Sequence, residues 1–327
     1  MPSKKLTAQK REELKIKKQK ANQPSYLKSI LTLIIVITVI AIAAYAAFLF
    51  LSSDEPIDDT NPPIIPQNNA PNAVGDYALF ALNSSNNTLD LLMNDNDADL
   101  DNLTITDVEN PTNGIAEIVN EKLLYTPNEN FTGIDEFTYT ISDGEYTTTA
   151  DINIVVANNS VVNGNNPITL IDTTEGMIVV ELYEDEMPIT CENFIRYAND
   201  NFYEGLCFHR IGDGFMIQGG AFAPDQSYKQ PTYDPIELEI SDTLIHDTGS
   251  ISMARTTEEN SATSQFFICD APQPGLDGSY AVFGKTIMGI DVVHAIADKD
   301  HDDSNGDGTG WPIDNVIINR IVVENQR

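Results

Sequence analysis

Residues 208–220 read FHRIGDGFMIQGG, and three further runs follow in order: SMAR (Ser252–Arg255), NSATSQFFI (Asn260–Ile268) and GLDGSYAVFGK (Gly275–Lys285). Strand-forming segments surround and overlap them: ITLID and GMIVVELY before, then SISMAR, SQFFICD, YAVFGK and NVIINRIVVE. Two stretches break that pattern. PITCENFIRYAND (Pro188–Asp200) opens with Pro in its first turn and sets Cys191, Phe194, Ile195 and Ala198 at helical spacing. Ile290, Val293, Ile296 and Ala297 repeat that spacing. Many short strands with only two helices predict, for residues 167–327, a closed β-barrel whose open ends are plugged by helices.

Upstream, an Asn-rich joint, NNSVVNGNNP (Asn158–Pro167), marks a change of texture, and residues 158–166 read as a linker. Before it, residues 71–157 alternate β-rich runs with turns. Thr138 to Ile141 and Asp151 to Val155 show the period-2 pattern of strands with one buried face. This predicts an immunoglobulin-like β-sandwich. LLMNDNDADLDNLTITDV, NPTNGIAEI and LLYTPNENFTGIDEFTYTISDG, in that order, resemble the cadherin-like modules of bacterial and archaeal surface proteins. Within the first run Asp95, Asp97, Asp99 and Asp101 alternate, as a structural Ca²⁺ loop requires and as a solvated acidic turn also does.

The N-terminal part carries its own signal. Residues 1–28 hold nine of the 18 Lys and Arg and only two acids, for a net charge of +7, which leaves −39 on the rest of a chain whose total is −32. Ile30 to Leu51 contains no charge over 22 residues. As a helix it would span about 33 Å, enough for a bilayer core, whereas the apolar region of a cleavable signal peptide is roughly 7–15 residues. The expected arrangement is a basic cytoplasmic tail (1–28), one transmembrane helix (29–52) and a Pro-rich stalk (53–70). By the positive-inside rule everything beyond the span lies outside a cell membrane. The acidic remainder excludes generic nucleic-acid binding, which needs clustered cations. Three cysteines cannot form a full disulfide framework, and four histidines without an HExxH pattern give no metal centre.

The four runs quoted first resemble, in order and spacing, the cyclophilin-type peptidyl-prolyl isomerases, in their prokaryotic form. The resemblance covers about 160 residues. It implies an eight-stranded antiparallel barrel capped by two helices, proline-containing polypeptides as substrates and no cofactor for catalysis. It also implies a catalytic role for Arg210, with Phe215 and Gln218 beside it, and substrate contacts from Met216, Ala254, Gln265, Phe267, Leu276 and Tyr280. By residue type alone Phe215, Met216 and Phe267 also suit a barrel core. Two positions depart from the eukaryotic pattern: Gly275 stands where Trp is usual and Tyr280 where His is usual, so cyclosporin binding is expected to be weak. The segment 221–248 lacks the Gly-rich loop of eukaryotic members. His209 is expected to hydrogen-bond rather than catalyse, and Cys207 and Cys269 to be buried thiols.

One motif lies outside the resemblance. DSNGDGTGWPID puts Asp303, Asn305, Asp307 and Asp314 at positions 1, 3, 5 and 12 of a calcium loop, with Asp where a bidentate Glu is usual and no flanking helix pair. Calcium loop and solvated acidic hairpin both remain open. For the whole chain, a tethered prolyl isomerase stands against a non-catalytic surface scaffold whose barrel only binds Pro-containing segments.

Overall fold

A computed structural model describes residues 67–324. The expected transmembrane helix and basic tail, and the stalk up to residue 66, lie outside the described residues. Among the described residues no helix is long and apolar enough to cross a membrane.

The first module is a two-sheet sandwich. Its strands are β1 (Asp76–Ala81), β2 (Asn87–Leu89), β3 (Thr104–Val108), β4 (Gly114–Val119), β5 (Lys122–Pro127), β6 (Gly133–Ser142) and β7 (Thr147–Ala157). One sheet runs β1-β7-β6-β3 with β1 parallel to β7; the other runs β2-β5-β4. Leu91, Leu123, Tyr125, Phe137, Tyr139, Ile141, Ile152 and Ile154 fill the space between them. Residues 67–70 belong to this module rather than to a stalk, since the Asn69 backbone N–H donates to Asp99 at 2.7 Å.

The second module is mainly β with two capping helices. In chain order it contains β8 (Ile168–Thr173), β9 (Gly176–Leu182), helix α2 (Pro188–Asn199), β10 (Arg210–Gly212), β11 (Met216–Gly219), β12 (Ser250–Met253) and β13 (Phe266–Cys269). Then come β14 (Val282–Met288), helix α3 (Ile290–Ala297) and β15 (Ile318–Glu324). Its eight strands follow the order β10-β11-β13-β12-β14-β9-β8-β15. The seam between the ends of that order is closed by the segments just before β10 and β15: Phe208 N–H donates to Val316 and Ile318 N–H to Leu206, at 3.0 and 2.7 Å. α2 buries Cys191, Phe194, Tyr197 and Ala198, and α3 buries Val293, Ile296 and Ala297.

The joint at 158–166 is not a loose linker. Asn159–Val162 forms a one-turn helix, α1. Val161 packs with Val155 against Ile168, Leu170, Met177 and Val179 of the barrel. This explains why ITLI and MIVV are apolar without alternation. Ile171, Ile178 and Val180 face the barrel interior, while Ile168, Leu170, Met177 and Val179 face the sandwich, so both faces of β8 and β9 are buried. The Tyr77 hydroxyl donates to Asp172 across the same junction at 2.8 Å. The described residues therefore form one compact unit.

Candidate active site

Strand registry assembles the site on the outside of the barrel. Arg210 lies opposite Gln218, Gln218 opposite Phe267, and Phe267 opposite Ser252 on four neighbouring strands. Residues directly opposite in an antiparallel ladder project to one face. Their sequence neighbours Ile211, Ile217, Phe266, Ile268 and Ile251 project inward to the main core. Met216, Phe267 and Cys269 form a separate apolar cluster, bordered by Phe215, Ala254, Leu276 and Tyr280. Met216 and Phe267 are thus not barrel core. They are the floor of a cavity of about 140 Å³ lined by Arg210, Phe215, Met216, Gln218, Ala254, Arg255, Phe267, Leu276 and Tyr280.

Each wall is fixed locally. Phe215 stands on the β10–β11 hairpin, whose Gly214 N–H donates to Asp270 at 2.8 Å. Leu276 stands on the 3₁₀ turn Pro274–Leu276, tied back by Gln273 to the Gly214 carbonyl at 2.8 Å. Arg210 sits at the lip, its guanidinium 5.6 Å from the Phe215 ring centroid. Gln218 accepts from Arg210 Nη1 at 3.5 Å and donates to Gln265 Oε1 at 3.0 Å. Gln265 lines an adjoining cavity of about 450 Å³ that shares Gln218, Ala254 and Arg255, so the two cavities make one groove. Burial pushes His209 down to about 4, which leaves it neutral at physiological pH.

Of the residues picked out for this groove, Arg210, Phe215, Met216, Gln218, Ala254, Phe267, Leu276 and Tyr280 share one cavity and Gln265 the next. Arg255 was missed: its guanidinium lies 4.8 Å from the Tyr280 ring centroid, and its Nε donates to the Ser279 carbonyl at 2.9 Å. His246 was missed too, because in sequence it is a lone histidine outside the four runs. It lies buried behind Phe267.

The carboxylate loops resolve differently from their sequence pattern. One oxygen from each of Asp97, Asp99 and Asp101 lies within 4.8 Å of the others. Asp95 turns away, accepting from Val74 N–H at 2.7 Å and from the Tyr139 hydroxyl at 3.0 Å. In the second loop Asp307 is paired with Arg210 at 2.7 Å, and Asp303, Asp307 and Asp314 do not converge as the first three carboxylates do. Cys191, Cys207 and Cys269 are free and buried. Burial pushes the thiols of Cys207 and Cys269 up to about 12.

A family model described as cyclophilin type peptidyl-prolyl cis-trans isomerase/CLD matches residues 168–323, and one described as bacterial Ig domain matches residues 68–155. The chain is 45% identical over 137 residues to a peptidyl-prolyl cis-trans isomerase of Acinetobacter baylyi, covering 40% of this chain and 72% of that protein. It belongs to the cyclophilin-type peptidyl-prolyl isomerases. This cyclophilin is also 43% identical over 133 residues to peptidyl-prolyl cis-trans isomerase A of Dickeya dadantii (39% and 70% of the two chains). It is 39% identical over 132 residues to peptidyl-prolyl cis-trans isomerase B of Escherichia coli (38% and 80%). It is therefore an enzyme, and its β-sandwich is a bacterial Ig-like module joined to the cyclophilin barrel.

Proposed function

We propose that this cyclophilin is tethered to the outer side of a cell membrane by one N-terminal helix and accelerates folding of secreted or surface polypeptides there. The tether is supported by the nine cations before an uncharged run of 22 residues and by the acids Asp54, Glu55, Asp58 and Asp59 directly after it. An Ig-like module between that run and the catalytic barrel fits a protein that holds its active site away from the lipid.

The single observation that carries the catalytic reading is the cation at the lip of an apolar socket. Rotation about the bond before proline faces a barrier of about 18–20 kcal/mol from amide resonance. No σ bond breaks and no electron passes to or from the substrate, so neither nucleophile nor cofactor is required. The proline ring enters the socket of Phe215, Met216, Phe267 and Leu276, which holds one side of the bond still. As the imide nitrogen turns pyramidal its lone pair becomes an acceptor, and Arg210 donates to it. That interaction grows in the transition state, which is the kind that raises the rate rather than tightening binding alone. Gln218, Gln265 and Ala254 contact the peptide backbone along the groove, and Tyr280 closes the rim.

Protease shaving of intact cells tests the location: loss of the full-length band with retention of a short membrane-bound stub supports the topology, and complete protection overturns it. A protease-coupled assay on an Ala-Pro peptide, run with wild type and Arg210→Ala, tests the catalytic assignment.

A further inference from the structure

A guanidinium presents two forked edges, Nε with Nη2 and Nη1 with Nη2, and in Arg210 they face different partners. Nε donates to Thr309 Oγ1 at 2.8 Å and Nη2 to Asp307 Oδ2 at 2.7 Å. These two acceptors are themselves joined, since Thr309 donates to Asp307 Oδ1 from its hydroxyl at 2.5 Å and from its backbone N–H at 3.1 Å. Asn305 Nδ2 donates to the same hydroxyl oxygen at 3.2 Å. The Thr309 hydroxyl is then fully used: its proton goes to Asp307 and its lone pairs accept from Arg210 and Asn305.

The loop carrying this set is fixed to the site. Gly310 exchanges both backbone hydrogen bonds with Ile211, the residue next to Arg210, at 2.9 and 3.1 Å. Thr309 is 2% exposed. Its methyl lies so close to Gly212 that a Cβ there would stand 2.7 Å from it. Asp303 shapes the turn from within by accepting from Gly308 N–H at 3.1 Å. The D-x-N-x-D spacing that reads as a cation loop thus places Asn305 and Asp307 around Thr309 and, through it, around Arg210.

We propose that Asp307 and Thr309 are positioning residues for the isomerisation: they hold Arg210 by its Nε/Nη2 edge so that the Nη1 edge faces the groove. An arginine side chain has four flexible torsions, and one anchored only by substrate would have to be ordered in the transition state itself. Fixing the far edge beforehand leaves the near edge aimed, with Gln218 as its remaining neighbour. The Asp307 side chain is 50% exposed, so its charge is screened by water and the geometry of the contact matters more than the field. The inference rests on the catalytic role assigned to Arg210.

The test measures kcat, KM and melting temperature on the full-length chain for Arg210→Ala, Asp307→Ala, Thr309→Val, Thr309→Ser and the double variant Arg210→Ala with Asp307→Ala. Asp307→Ala and Thr309→Val are expected to lower kcat about tenfold with KM within about twofold, and Thr309→Ser to stay near wild type. Asp307→Ala should have no further effect once Arg210 is gone. Should Thr309→Val fail to fold, the half-exposed Asp307 still gives a readable variant. Wild-type kcat in Asp307→Ala, or an equal loss with and without Arg210, overturns the positioning role. An unaltered rate in Arg210→Ala overturns the catalytic assignment instead, so the two failures are distinguishable.

Discussion

The imidazole of His246 lies face to face with the ring of Phe267, 9° from parallel and 5.8 Å between centroids. Asp277 holds its Nδ1 at 2.9 Å and Ser252 its Nε2 at 3.1 Å. The wall of the cavity proposed to take the proline ring is therefore backed by a buried, doubly hydrogen-bonded ring. His246→Ala should destabilise the fold by about 2–4 kcal/mol, from the cavity and the two abandoned partners. It should also lower kcat/KM, because Phe267 is free to tilt. Urea unfolding beside the isomerisation assay checks both; an unchanged kcat/KM would show that Phe267 needs no backing.

Adjacent residues on β13 separate stability from activity. Phe266 points into the barrel, edge-on to Phe194, Tyr203 and Phe208. Phe267 points into the groove. Phe266→Ala should cost about 3–5 kcal/mol of stability. Phe267→Ala should instead lower kcat/KM about 10–100-fold, the equivalent of about 1.5–3 kcal/mol of lost apolar contact with the proline ring. Paired melts and rate measurements distinguish them, and the same loss of activity at equal stability in both would contradict the two-faced strand.

Much of this was legible in the sequence, and the exceptions share a cause. α2 was readable because Pro188 marks its start and Cys191, Phe194 and Ala198 repeat on one face. Arg210, Phe215, Met216 and Phe267 were readable only through the family resemblance, because they stand within the runs that carry it. Periodicity could not say that Met216 and Phe267 face outward, because β11 and β13 are apolar on both faces. Nor could it show that Asp307 reaches Arg210 from 97 residues away. Long-range pairing also hid His246, Arg255 and the packing of Val161, from the 158–166 joint, against the barrel. The DSNGDG spacing left two readings open because a turn that arranges oxygens around a cation also arranges them around a guanidinium.

His209, lowered from 6.5 to about 4, favours the fold as pH rises toward about 6.5; against it, stability should be drawn down between about pH 4 and 7 by Asp76. Burial, reinforced by the nearby Asp95 charge and offset by Tyr139, pushes its carboxyl from 3.8 up to about 7. Its Oδ2 has no hydrogen-bond partner. In this window the folded chain holds a proton that the unfolded chain has released, so raising pH favours unfolding. Asp95 and Asp172, raised by burial as well, act in the same direction. Asp76→Asn should melt higher than wild type at pH 8 and show a flatter pH dependence; an identical slope would remove Asp76 from the account.

Cyclosporin should inhibit weakly. Gly275 sits beside the socket residue Leu276, and a Cβ there would meet nothing within 4 Å. Gly275→Trp should therefore fold normally and supply the aromatic surface that the family resemblance associates with the drug, lowering the inhibition constant at least tenfold. A nanomolar constant for wild type would contradict this reading.

The assignment of the rotation to one cation at the lip of an apolar socket stands or falls on kcat/KM for Arg210→Ala beside wild type on an Ala-Pro peptide. The expected loss is about 100-fold or more, of the size seen when a transition-state donor is removed, in a variant that still unfolds cooperatively, since Arg210 lies at the lip of the groove and in neither core. Equal rates in the two proteins would contradict it.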